Sequence, residues 1–132
     1  MSSRGQALVE LAVCMPVIML LGLGAAGVVQ VADAASGLRA ATEAAVAAAV
    51  RAPSQAQAIT LAGQRFRTVV GAYPIKNPIL TISPSGFARD AAFTASAGGD
   101  VALGWEAMSF LPASVHLTAT ATMQVEPWRT HR

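Results

Sequence analysis

Between residues 11 and 29 the chain carries no charged or strongly polar side chain. That run is close to the ~20 residues a helix needs to cross the ~30 Å hydrocarbon core of a bilayer. One charge, Glu10, stands at its front edge, and a short polar, basic leader, residues 1–5, precedes it. After Val31 alanine dominates, the residue with the best helix propensity. Val31, Ala35, Leu38, Thr42, Ala45 and Ala49 recur at steps of three and four, while Asp33, Arg39 and Glu43 fall off that stripe. Nothing breaks the pattern before Pro53, so it predicts one helix over residues 7–52, on the order of 70 Å long at 1.5 Å per residue. Half of it would sit in lipid and half would project as a stalk. Pro16 removes one backbone hydrogen bond and can kink the helix. Gly22, Gly24, Gly27 and Gly37 weaken the helix locally but let neighbouring backbones approach. Pro16, Gly22, Gly24 and Gly27 are therefore the candidate kink and packing positions.

Past Pro53 the pattern changes. Ser54-Gln55-Ala56-Gln57 fits a capping box, with the serine hydroxyl on the helix start and Gln57 reaching back. Ile59, Ala62, Phe66, Val69 and Val70 follow at helical spacing, and Gly71 can end the element. A short helix over residues 55–70 is expected, with Arg65 and Arg67 on its solvated side. Tyr73-Pro74, Asn77-Pro78 and Ser83-Pro84-Ser85-Gly86 punctuate turns. The period then becomes two. Strands are expected over residues 79–83 and 91–97, and Gly98-Gly99-Asp100 would turn into another over 101–107, with Val101, Leu103 and Trp105 on one side. Phe110-Leu111-Pro112 would form an apolar loop. Residues 114–126 alternate strictly, with Val115, Leu117, Ala119, Ala121, Met123 and Val125 facing one way. This is the signature of a half-buried strand in an antiparallel sheet. The expected fold is an α+β membrane protein: a long N-terminal transmembrane and stalk helix, plus a short helix packed on a small antiparallel sheet. Trp128 would tack a loose tail to that sheet.

Composition agrees with a membrane setting. Of 132 residues 54% are hydrophobic and 12% charged, against about 25% charged in ordinary soluble domains. The length suits one domain. A net charge of +2 without a clustered basic face does not point to specific nucleic-acid binding, and Arg129, His131 and Arg132 add only a basic tail. The one cysteine, Cys14, lies inside the apolar run, so no intramolecular disulfide forms and it reads as a small packing residue.

Catalytic chemistry has no visible constellation. His116 lies on the polar side of a strand and His131 in the tail. Asp90, Asp100, Glu106 and Glu126 are scattered, and Gly98-Gly99 lacks the context of a phosphate loop. No enzyme activity, catalytic residue, metal site or cofactor is expected.

Two readings of the apolar run compete. Ala32-Asp33-Ala34 has the small-x-small form of a signal-peptidase site. However, the run is longer than a signal core and opens on a carboxylate, which is costly to bury without a structural return. A retained membrane helix is the stronger reading. Arg4 and the amino terminus favour a cytoplasmic start, and the flank with Asp33, Arg39, Glu43 and Arg51 is balanced.

Arg4-Gly5-Gln6-Ala7-Leu8-Val9-Glu10-Leu11, with Pro16 soon after, resembles the processing site of type IV pilins and pseudopilins. More narrowly it is similar to the start of TadE-like proteins, the pseudopilins or minor pilins of tight-adherence (Tad/Flp) pilus systems. Residues 117–126, LTATATMQVE, resemble the closing strand of that family. The resemblance covers mainly residues 4–52 and 114–126.

It implies a pilin-like fold with a leader (1–5), a long helix (6–52) and a head (53–132). It further implies that a membrane prepilin peptidase cuts between Gly5 and Gln6. This chain would then be the peptidase's substrate. The cut removes Arg4 and leaves a new α-amine on Gln6. Glu10, four residues on, shares its helix face and would pair with the Gln6 amine of a neighbouring subunit. The implied partners are other pilins, the peptidase, a Tad-type membrane assembly platform and membrane lipid. The implied location is the bacterial cytoplasmic membrane, crossed once with the amino terminus cytoplasmic and the head outside, in a surface filament once assembled. Leu11 stands where major pilins of this class carry an aromatic residue, and the head is larger than theirs. Both departures suggest a minor or initiating subunit. Two alternatives stand beside this: a single-pass anchor for an extracytoplasmic binding module, and a secreted domain released by signal peptidase after Ala34.

Overall fold

The computed structural model describes residues 3–84, 91–104 and 112–125. Its first element, α1 (Ser3–Val50), is a 48-residue helix with Pro16 inside it. The two halves of α1 have opposite surroundings. Every residue from 3 to 26 is exposed, whereas Ala34, Gly37, Leu38, Ala41, Thr42, Ala45, Val46 and Ala49 are buried. The buried face is wider than the stripe read from the sequence. Val31 and Ala35 are half-buried, and Ala34, Gly37, Ala41 and Val46 join the core instead. The reason is that the outer half of α1 packs against two partners, the second helix and the sheet. Thr42 is the one buried polar residue there, and its hydroxyl donates to Leu38 O at 2.7 Å, so it carries no unsatisfied group into the core. Ala52 N–H donates to Ala49 O at 3.1 Å as the helix unwinds, and Pro53 prevents its continuation.

The second helix, α2 (Gln55–Val70), starts where the capping pattern places it. Ser54 is extended (φ −143°, ψ 161°) and its side chain accepts from Gln57 N–H at 3.3 Å. Ala58, Ala62, Phe66 and Val70, four residues apart, form its buried edge. Ile59, expected on that edge, is 46% exposed. Alanines dominate the core that α1 and α2 share: Ala41, Ala45 and Ala49 of α1 with Ala58 and Ala62 of α2. Small side chains let the axes approach, and a larger residue on that line would separate them. Gly71 ends α2 with ordinary right-handed angles (φ −63°), its N–H donating to Arg67 O at 3.1 Å. The chain then turns through Tyr73, whose ring lies against Gly37 of α1 so closely that a Cβ there would overlap it.

Three antiparallel strands follow, β1 (Lys76–Pro84), β2 (Ala92–Ala102) and β3 (Ser114–Gln124), in the order β1-β2-β3. The expected turn at Gly98-Gly99-Asp100 does not form. Those residues lie inside β2, paired across both edges: Gly98 with Ile79 and Thr118, and Asp100 with Lys76 and His116. Gly99 is buried, and a Cβ on it would overlap the Ile75 side chain. The two glycines therefore serve close approach within a strand. The expected strands over 91–97 and 101–107 merge into one as far as Ala102, and Val101 and Leu103 both face inward as expected. Trp105, Phe110, Leu111, Trp128 and the turn at Ser85-Gly86 lie outside the described residues. β1 begins earlier than its pattern suggested, through an irregular register between Lys76 and Ile79 where Asn77 adopts φ 50°.

Along β3, Val115, Leu117, Ala119 and Ala121 are half-buried and their neighbours exposed, which is the alternation the sequence predicts. Met123 departs from it, at 38% exposed. The inner sheet face, centred on Phe93, Ala95 and Ala97, closes against Leu38, Val46 and Phe66 in one core. The architecture is thus α+β, with a helical pair on one face of a small antiparallel sheet. The head's core is built partly from α1 itself.

Candidate functional site: the bare half of α1

The amino-terminal half of α1 is a surface without a partner in the monomer. Leu8, Val9, Val13, Met19 and Leu21 are each more than 60% exposed, with Ile18 close behind at 59%. Soluble monomers rarely show contiguous apolar patches beyond a few hundred Å², and this one encircles the helix. α1 is long and apolar enough to cross a membrane. A helix suits that solvent because it satisfies its backbone groups internally.

The sequence-identified residues all fall on this half. Gly5 and Gln6 are exposed in the first turns of α1, already helical. Glu10 is exposed one turn beyond Gln6, on the same face. Pro16 is accommodated within α1. The glycines divide by role. Where a Cβ would stand on Gly22 or Gly24 there is open space, while Gly27 is buried. Gly37 allows a close approach, but the neighbour it admits is the chain's own Tyr73. Cys14 is a free, exposed thiol on the apolar surface.

The sheet holds one polar contact that sequence reasoning missed. His116 Nδ1 lies 2.7 Å from Asp100 Oδ1, an N–H donating to the carboxylate across the β2–β3 pair. The sequence pattern sets Asp100 in a turn and His116 on the polar side of a strand, so it does not oppose the two. Knowing that β2 runs through Asp100 would have put them opposite each other. Beside them, Thr94 and Thr122 hydroxyls meet at 3.1 Å and Ser96 and Thr120 at 3.5 Å. This outer face is exposed and polar. Among the described residues no group of three His, Cys, Asp or Glu side chains could hold a metal ion. Asp90, Glu106, Glu126, Arg129, His131 and Arg132 lie outside the described residues.

Comparison with protein-family models, with curated proteins and with solved structures finds no match to this chain.

The candidate site is an apolar cylinder, with one carboxylate one turn from Gln6 and a head packed on its far end.

Proposed function

We propose that the chain is a minor pilin or pseudopilin of a Tad/Flp-type IV pilus machine, cut after Gly5 by a prepilin peptidase and assembled through α1. The observation that carries this reading is the division of α1. Its outer half belongs to the head's core, and its inner half is bare, apolar and marked by a single acid, Glu10. Such a helix holds the head rigidly while offering lipid or other helices its whole circumference.

Cutting between Gly5 and Gln6 would remove Arg4 and expose an α-amine one helical turn from Glu10. In a bundle of such helices the carboxylate of one subunit would meet the amine of the next. Breaking a buried pair by removing one partner typically costs 3–5 kcal/mol, because a charge is left uncompensated. Subunits in register would therefore be favoured over those displaced along the axis. The partners on this reading are other pilins, the peptidase, a membrane assembly platform and lipid, with the head on the extracytoplasmic side.

Amino-terminal sequencing of the chain recovered from its native membrane tests the reading. A mature start at Gln6 supports it. An intact Met1 favours a plain single-pass anchor, and a start at Ala35 favours a secreted head; either result removes the pilin reading.

A further inference from the structure

Within the apolar run of residues 11–29, Gly27 alone is buried. It lines an open cleft of about 380 Å³, with Gly24, Val28, Val31 and Ala35 of α1 on one side and Leu103 on the other. Leu103 directly follows β2 and is 6% exposed. Its N–H donates to Ala113 O at 3.0 Å, which ties the start of the β2–β3 connection to its end. The head therefore overhangs the apolar run at this point. Gly24 lies five residues before Val29, about 7.5 Å along the helix axis, so the lower part of the cleft is inside the run that a bilayer would cover.

We propose that the head is seated on the bilayer and that this cleft holds an acyl chain of an outer-leaflet lipid, in contact with Leu103. The proposal rests on the membrane reading of α1. Three observations select hydrocarbon as the occupant. Among the described residues the lining is all Gly, Ala, Val and Leu, and a water beside these side chains would lack the two to four polar partners it needs. The lower wall continues directly into the lipid-facing surface of α1, so a chain can enter sideways without crossing a polar barrier. Leu103 of the head lines this cleft together with Gly27, so the wall on which a second helix would pack, with its axis 8–10 Å away, is shared with the head. A polymethylene chain is much thinner than a helix, and the absent side chains at Gly24 and Gly27 widen the cleft for it.

The test uses the full-length chain in phosphatidylcholine vesicles, carrying Cys14→Ser and one new cysteine labelled with a small fluorophore. Leu103→Cys reads the cleft, and Leu20→Cys reads the middle of the run. Ala32→Cys, at an exposed cleft position beyond the run, repeats the cleft reading in case the label at Leu103 disturbs the fold. Each is quenched in turn by lipid bearing a nitroxide high on its acyl chain and by aqueous iodide. The expected result is that the labels at 103 and 32 are quenched several-fold more by the lipid nitroxide than by iodide. Labels at 103 and 32 quenched by iodide, with the label at 20 quenched by lipid, would overturn the seated head and leave the membrane helix standing. Protection of 103 and 32 from both quenchers would mean a protein chain fills the cleft, and also overturns the proposal. A label at 20 quenched by iodide removes the membrane reading and this inference together.

Discussion

The ring of Tyr73 lies on Gly37, so the turn that leaves α2 is fastened to the middle of α1 by a contact that only glycine permits. The packing is local, but its consequence is for the whole molecule. It fixes the end of α2 against α1, and the sheet begins directly after it. Gly37→Ala should destabilise the head although alanine is the better helix former by about 0.8–1.0 kcal/mol. Displacing the ring costs typically about 1–3 kcal/mol, as overpacking does elsewhere. The expected outcome is a lower unfolding midpoint for Gly37→Ala. In the Tyr73→Ala background the same substitution should become neutral or stabilising. Thermal unfolding of the four proteins of that cycle, in one detergent, checks the sign. An additive result would show that the contact does not couple the two residues.

The alanine seam between α1 and α2 makes a second, sharper claim. Ala45 and Ala62 are both fully buried in the same core as Phe66. Ala62→Leu should cost about 1–3 kcal/mol by forcing the helices apart, and Phe66→Ala about 3–5 kcal/mol by leaving a cavity. Ile59→Ala, one position from the buried edge, removes a branched aliphatic group, yet Ile59 is 46% exposed. Its cost should be the smallest of the three, near the ±0.5 kcal/mol range of surface changes. Denaturant midpoints order the three variants, and Ile59→Ala costing as much as Phe66→Ala would place α2 in a different rotation.

The Asp100–His116 contact should matter little to stability despite its 2.7 Å length. The side chains are 40% and 63% exposed, and exposed pairs contribute about 0.2–1 kcal/mol, less as salt rises. Asp100→Asn is expected to shift the unfolding midpoint slightly at low ionic strength and not measurably at high. A large, salt-insensitive loss would mean the pair is shielded by something covering this face. The same measurement on Thr94→Val tests whether the neighbouring hydroxyl row behaves likewise.

Most of the architecture could be read from the sequence where local signals and tertiary packing agree. The apolar run and the alanines after it specify α1 because propensity, length and the absence of breakers all point one way. Ser54 announces α2 through a cap that needs only local geometry. β3 is legible because one face meets the core and the other meets water. The reading fails where long-range pairing overrides local chemistry. Gly98-Gly99-Asp100 has the composition of a turn, yet by staying extended Gly98 and Asp100 gain partners on both sides and Gly99 gains Leu117, and no nearby residue announces that. Ile59 departs for a related reason: the buried edge of α2 includes the small Ala58 and Ala62, and a hydrophobicity pattern follows the larger isoleucine. In the bare half of α1, Gly5, Gln6, Glu10 and Pro16 were identifiable as a motif, but the cleft beneath Leu103 depends on the folded hairpin.

Gly5 and Glu10 carry the last prediction, because they separate processing from assembly. Gly5 is exposed in the first turns of α1, where the proposed peptidase would have to reach the peptide bond to Gln6. Gly5→Leu places a bulky side chain at that bond and should leave the chain uncut, which intact-mass measurement reads as retention of residues 1–5. Normal processing of this variant would remove Gly5 as the site. Glu10→Ala leaves the cut bond untouched and makes the run more apolar, so it should be processed and should enter the membrane as well as the parent chain. What it should lose is association, since Glu10, at the edge of the apolar run, is the one acid in the first 32 residues that could meet a Gln6 amine. If the chain assembles as proposed, crosslinking to pilins in the native membrane should fall several-fold for Glu10→Ala and recover partly for Glu10→Asp, whose shorter acid keeps the charge. Crosslinking that is unchanged in Glu10→Ala would show that helix packing alone sets the register, leaving the acid without a role in assembly.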